Sequence, residues 1–201
     1  MSKAYRHMGS DYEASGRDSV FVRTSSTVAK VERVAAGTVL AGVFGVVVLN
    51  VAARGIGQPV IWADEMAIYG MAWVAFIGSS AALSGRDHIA ITLLSDAVSG
   101  RSRQMLATAV DGLLLVLLGV LAIVLWRWFD PITYLSAESG QAYAVETFNF
   151  MHQEPTTTLG IAKIWVWLIL PVFNLTALLH VSARLFAGPV QEVHVQRRRA
   201  Q

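Results

Sequence analysis

Four apolar runs, each close to twenty residues long, constrain this chain more than anything else in it. They extend from about Val34 to Ala53, Met66 to Ser84, Leu106 to Trp126 and Ile164 to Ala183. The first, second and fourth hold no Asp, Glu, Lys or Arg, and the third holds one, Asp111. A helix of roughly 20 apolar residues crosses the hydrocarbon core of a bilayer and satisfies its backbone polar groups internally while doing so. Buried helices of a soluble bundle keep a polar face, and Gly112 to Trp126 has none. The first run follows a long polar stretch and exceeds the length of a cleavable signal sequence.

Composition agrees. Charged residues make up 15% and apolar residues 54%, against roughly 25% charged in a soluble domain. The apolar content excludes a disordered chain. The absence of Cys excludes a disulfide scaffold, a thiol redox enzyme and a cysteine zinc site. The expected fold class is all-α. It is a polytopic membrane protein with four transmembrane helices at about 34–53, 66–84, 106–126 and 164–183.

Charge sets the expected orientation, because Lys and Arg favour the cytoplasmic side. Thirteen of the sixteen Lys and Arg lie in the N-terminal tail, the loop between helices two and three, and the C-terminal end. The remaining three are Arg54, Arg127 and Lys163. Both termini are therefore expected in the cytoplasm. Arg197 to Arg199 follow a span and read as a topology anchor touching anionic lipid. No nucleic-acid partner is expected, since no reading module accompanies them.

Residues 1–27 read as a flexible cytoplasmic tail, with Thr27 to Arg33 as a cytoplasmic extension of helix one. Residues 28–186 form the membrane domain, and 187–201 a basic cytoplasmic tail. Ile91, Leu94 and Val98 recur at helical spacing and predict a short interfacial helix between helices two and three. The outer loop, 130–158, carries Asp130, Glu138, Glu146 and Glu154 with no Lys or Arg. Val145, Phe148 and Met151 recur every three residues and predict a short helix on the outer membrane surface. This loop reads equally as a docking surface and as a plain solvated connection.

Steps of four rich in small residues mark two helix faces: Gly37, Ala41 and Gly45 on helix one, and Gly70, Val74, Gly78 and Ala82 on helix two. Such faces let helices approach closely in lipid. They suit packing within the bundle or against another membrane protein. Pro171 removes the bond to the carbonyl of Trp167 and predicts a kink in helix four. Trp62, Trp126, Trp128, Trp165 and Trp167 form an interfacial belt.

Chemistry is sparse. Asp111 lies about 8 Å inside its span from Leu106, near an interface and far from the midplane, so no proton relay is visible. Asn50, Asn174 and Thr176 read as bridges between helices. His88 and His180, near the cytoplasmic ends of helices two and four, permit one alternative: a haem-binding or quinone-site membrane anchor subunit of a redox complex. No catalytic set, metal-ligand spacing or cofactor motif is present, and none is expected. Four spans without an internal repeat make a poor transporter alone. A non-enzymatic subunit that needs a partner is the reading from physics.

An ordered set of residues sharpens it: Asn50 to Arg54, then Trp62, Asp64 and Glu65, then Gly78, then Arg86, Asp87, His88, Ile89 and Ile91. This set resembles the small membrane subunit, DctQ-like, of tripartite ATP-independent periplasmic (TRAP) transporters. Leu170-Pro171 is similar to a feature of the family's last helix. Ile68 and Thr92 depart from the family's usual basic and acidic residues.

The resemblance implies a scaffold for a large membrane subunit, in sodium-driven uptake of an organic anion, commonly a carboxylate. A periplasmic substrate-binding protein delivers that anion, and the setting is the bacterial inner membrane. On this basis Arg54 and Glu65 are expected to pair across the first hairpin, with Trp62 anchoring its edge. Arg86, Asp87 and His88 are expected to fix the inner end of helix two against the large subunit or lipid.

Overall fold

The structure, a computed structural model, describes residues 16–85 and 101–186. These form α1 (Gly16–Gly55), α2 (Ile61–Leu83), α3 (Arg101–Phe129), α4 (Pro131–Ser136), α5 (Gly140–Thr147), α6 (Ile164–Trp167) and α7 (Ile169–Phe186). No strand occurs among the described residues, and one isolated bridge joins Pro155 to Ala162. The all-α class and four apolar helices long enough to cross a membrane are as the sequence predicts. The interfacial helix expected around Ile89 to Val98, with Arg86, Asp87 and His88, lies outside the described residues.

Three limits differ from the sequence reading. Helix α1 has 40 residues, about 60 Å at 1.5 Å per residue, twice the thickness of a hydrocarbon core. Its helical part therefore reaches back to Gly16, through residues expected to belong to a flexible tail. The fourth span is interrupted at Leu168, between α6 and α7. This is the turn that loses a bond because Pro171 has no N–H. The loop after α3 holds two short helices, and the one near Val145 ends at Thr147. Phe148 then takes a left-handed conformation, φ 56°, so Met151 belongs to a following turn.

The α1–α2 turn explains itself locally. Gly57 has φ 75°. Its N–H donates to Arg54 O (3.0 Å), and the Gln58 N–H donates to Ala53 O (2.9 Å). This is the Schellman arrangement, which needs a left-handed residue and takes glycine for lack of a Cβ.

Packing centres on the last helix. Helix α7 touches α1, α2 and α3, whereas α1 lies chiefly along α2. Asn174, Ala177, Val181 and Arg184 are buried at steps of three, four and three, one seam of a helix. Leu118, Ala177 and Val181 form the apolar core, with Leu83, Leu114 and Phe173 against it. Polar bridges sit in the same seam. Asn174 Nδ2 donates to Leu118 O of α3 (3.0 Å), and Thr176 Oγ1 bonds Ser80 Oγ of α2 (2.6 Å). The Trp73 indole N–H donates to Val166 O (3.0 Å).

The small-residue faces separate. Gly70 sits against Val43, so that a Cβ there would collide with the valine side chain. Gly37, Ala41 and Gly45 are exposed instead, and a Cβ on either glycine meets nothing within 4 Å. Gly78 is half-buried, and a Cβ there also meets nothing within 4 Å. Of the two roles that suit the Gly37–Ala41–Gly45 face, the described residues place no element of this chain against it. Helix α1 meets α2 through Val39 and Val43, which lie against Gly70, and through Asn50, which bonds Asp64.

Candidate functional site

Besides the bridges made by Asn174 and Thr176 along the seam, polar side chains gather at the two ends of the bundle. At the hairpin end, Asn50 is buried (3% exposed). Its Nδ2 donates to Asp64 Oδ1 (2.8 Å), and its Oδ1 accepts from the Val60 N–H (3.0 Å). Arg54 Nη2 reaches Asp64 Oδ2 at 2.5 Å. This corrects the expected partner: Arg54 pairs with Asp64, not with Glu65. Successive helical residues point about 100° apart, so only one of two adjacent carboxylates can face α1.

Glu65 faces the other way and captures a loop. Its Oε1 accepts from the Thr157 N–H (2.8 Å) and the Tyr69 hydroxyl (3.0 Å). Its Oε2 accepts from the Thr158 N–H (2.6 Å), the Thr158 hydroxyl (2.5 Å) and the Leu159 N–H (3.0 Å). Three successive backbone N–H groups form a small anion cradle, and a residue of the same chain occupies it. The loop can present them because Gly160, at φ 69°, lets it turn back. Thr156 N–H then bonds Ile161 O (2.7 Å). Lys163 Nζ closes the turn on Glu154 Oε1 at 2.5 Å. That bond holds the lysine above its usual pKa. Trp62 stands exposed at this end, as do Trp126 and Trp165.

The end near Phe186 holds two buried clusters. His180 is fully buried. Its Nδ1 bonds Ser25 Oγ (2.7 Å) and its Nε2 bonds Glu32 Oε2 (2.9 Å). Each ring nitrogen thus has a hydrogen-bond partner on α1. Ser25, Ala29 and Glu32 lie at steps of four and three on α1, all buried, and Phe21 meets the Phe186 ring at 6.0 Å. This contact accounts for the long helical extension of α1. Beside it, Arg184 pairs with Asp111 of α3, both buried, and donates from Nη1 to Gly85 O (3.2 Å). The sequence picked out Asp111 but missed Arg184, which reads from sequence as one more basic residue at a helix end.

The arrangement is closed. Asp111, Glu65, Asn50, Asn174 and His180 each meet partners from this same chain. Both ring nitrogens of His180 are engaged, so the haem reading loses one of its two ligands; the other, His88, is outside the described residues. What these contacts do chemically is join elements: α1 to α2, α2 to the loop before α6, α1 to α7, and α3 to α7.

A family model described as "Tripartite ATP-independent periplasmic transporters, DctQ component" matches residues 43–188. The match begins within α1 and takes in every later helix. No curated protein matches the chain.

Proposed function

We propose the following reading from one premise: the chain belongs to the DctQ component family of tripartite ATP-independent periplasmic transporters. It is a component of a transport system, and by its four apolar helices a multi-pass membrane protein. Its role is that of the small scaffold subunit. It supports a large membrane subunit in sodium-driven uptake of an organic anion of the carboxylate class, delivered by a periplasmic substrate-binding protein. The membrane is the bacterial inner membrane, with both termini cytoplasmic. The thirteen basic residues on the tail side support that orientation.

One observation carries the scaffold role. The polar groups of the bundle are joined to one another across helices, as at Asp111–Arg184 and Glu32–His180. Groups so engaged hold helices in place and are poorly suited to bind and release a solute. The exposed Gly37–Ala41–Gly45 stripe is where we place the large subunit, since small residues let a partner helix approach. Arg54, Trp62 and Glu65 hold the outer hairpin. Arg86, Asp87 and His88 serve the inner end of α2.

Co-expression with the large subunit tests this. The two are expected to co-purify and, with the binding protein, to take up the anion only when all three are present. Uptake by this chain reconstituted alone, or failure to co-purify in mild detergent, would overturn the reading.

A further inference from the structure

Residues 129–163 form a small cap directly on the end of α3. Its interior holds Tyr143, Ala144 and Met151 together with a set of polar and aromatic contacts. The Tyr134 ring stacks on His152 at 4.1 Å, and Tyr143, 1% exposed, meets both rings edge-on. His152 Nε2 bonds Phe129 O (2.7 Å). Asn149 Nδ2 donates to Trp128 O (2.7 Å) and to the Tyr143 hydroxyl (3.1 Å). At its surface Thr133 donates to Asp130 (2.7 Å). Its exterior carries large apolar side chains beside polar ones: Ile132, Leu135, Val145, Phe148 and Phe150 are all exposed, with Leu135 and Phe148 at 82%, as are Thr133, Glu138, Gln141 and Glu146.

Phe148 is the most telling of these. It holds the left-handed position after α5 that glycine usually takes, so the backbone carries a steric cost in order to aim a large ring outwards. Water does not favour such a surface.

We infer that this cap is seated in the membrane–water interface, with lipid covering Ile132, Leu135, Val145, Phe148 and Phe150. Three features select lipid as the occupant. The cap follows α3 with a single residue, Asp130, between α3 and α4, so it cannot leave the level at which that span ends. The exposed Trp126 and Trp165 stand at the same end, and tryptophan marks the headgroup level. Its internal hydrogen bonds satisfy the polar groups that face inward, which an apolar surrounding demands. The free carboxylates Glu138 and Glu146 are exposed and take the water side. The inference is independent of the transport role and of the orientation, and fails separately from either.

The chain has no Cys, so a single spin label can be placed without background. Leu135→Cys, Val145→Cys and Phe148→Cys are labelled one at a time, with Glu138→Cys as the water reference. Each replaced side chain is exposed, so the fold does not depend on it. The full chain, alone and with any membrane protein that co-purifies with it, is reconstituted in phosphatidylethanolamine–phosphatidylglycerol vesicles. Collision with oxygen is then compared with collision with a nickel chelate. All three sites are expected to favour oxygen several-fold, and Glu138 to favour the chelate. A site that matches Glu138 means water, and a site that excludes both probes means a protein partner. Either result at any of the three overturns the inference.

Discussion

At the scale of single residues, Asp111 and Arg184 stand for the energetics of the whole bundle. Two charges out of water are tolerable only while they neutralise each other, and removing one strands the other. Breaking a buried pair costs about 3–5 kcal/mol, whereas replacing both members by apolar groups is often neutral. Asp111→Ala and Arg184→Ala are each expected to lower stability by about that amount. Asp111→Leu with Arg184→Met should recover most of it, measured by denaturant unfolding in micelles. Glu65 predicts something different. Its carboxylate accepts five hydrogen bonds, and an amide would point a donor at some of those donors. Glu65→Gln is expected to speed hydrogen exchange at the amides of Thr157, Thr158 and Leu159 while leaving the helices assembled. Unchanged exchange there would show that the carboxylate does not hold the loop.

Elements respond in larger pieces. The N-terminal part of α1 is helical where it lies on α7, through Ser25, Ala29, Glu32 and the buried imidazole of His180. Isolated short helices are marginal in water, so this stretch depends on its contact. His180→Ala should raise proteolytic sensitivity between residues 20 and 32 at least tenfold, with the span from Val34 to Ala53 still protected. The two glycine faces separate in the same way. Gly70→Leu collides with Val43 and is expected to destabilise this chain by itself. Gly45→Leu meets open space within the chain, so it should leave the chain's own stability unchanged and reduce co-purification with the large subunit. Loss of intrinsic stability in Gly45→Leu would place that stripe inside the bundle after all.

On the scale of the whole molecule, α7 is the element that joins the other three spans, since it touches all of them. Ending the chain before Ile169 is therefore expected to release α3 from α1 and α2, with loss of cooperative unfolding. Orientation belongs to this scale too. With the tail side cytoplasmic, a labelled cysteine replacing Ser102 should be protected in intact cells from an impermeant thiol reagent. One replacing Glu138 should react.

The four spans, their all-α class and the family were legible from the amino-acid order alone. Apolar run length against bilayer thickness is a one-dimensional property, and so is an ordered motif set. The partners of the polar residues were not. Asp64 and Glu65 are adjacent and chemically alike, so only the rotation of α2 about its axis decides which meets Arg54 and which meets Thr158. Arg184 and Asp111 lie 73 positions apart, and nothing in their spacing marks them as a pair. Periodicity pointed to a helix near Val145 but not to its end at Phe148, because the left-handed turn there opposes local preference. The sequence by itself determined which segments enter the membrane, since solvation depends on what each segment is. Only the tertiary structure decided how those segments neutralise and bond one another, because that depends on which faces meet.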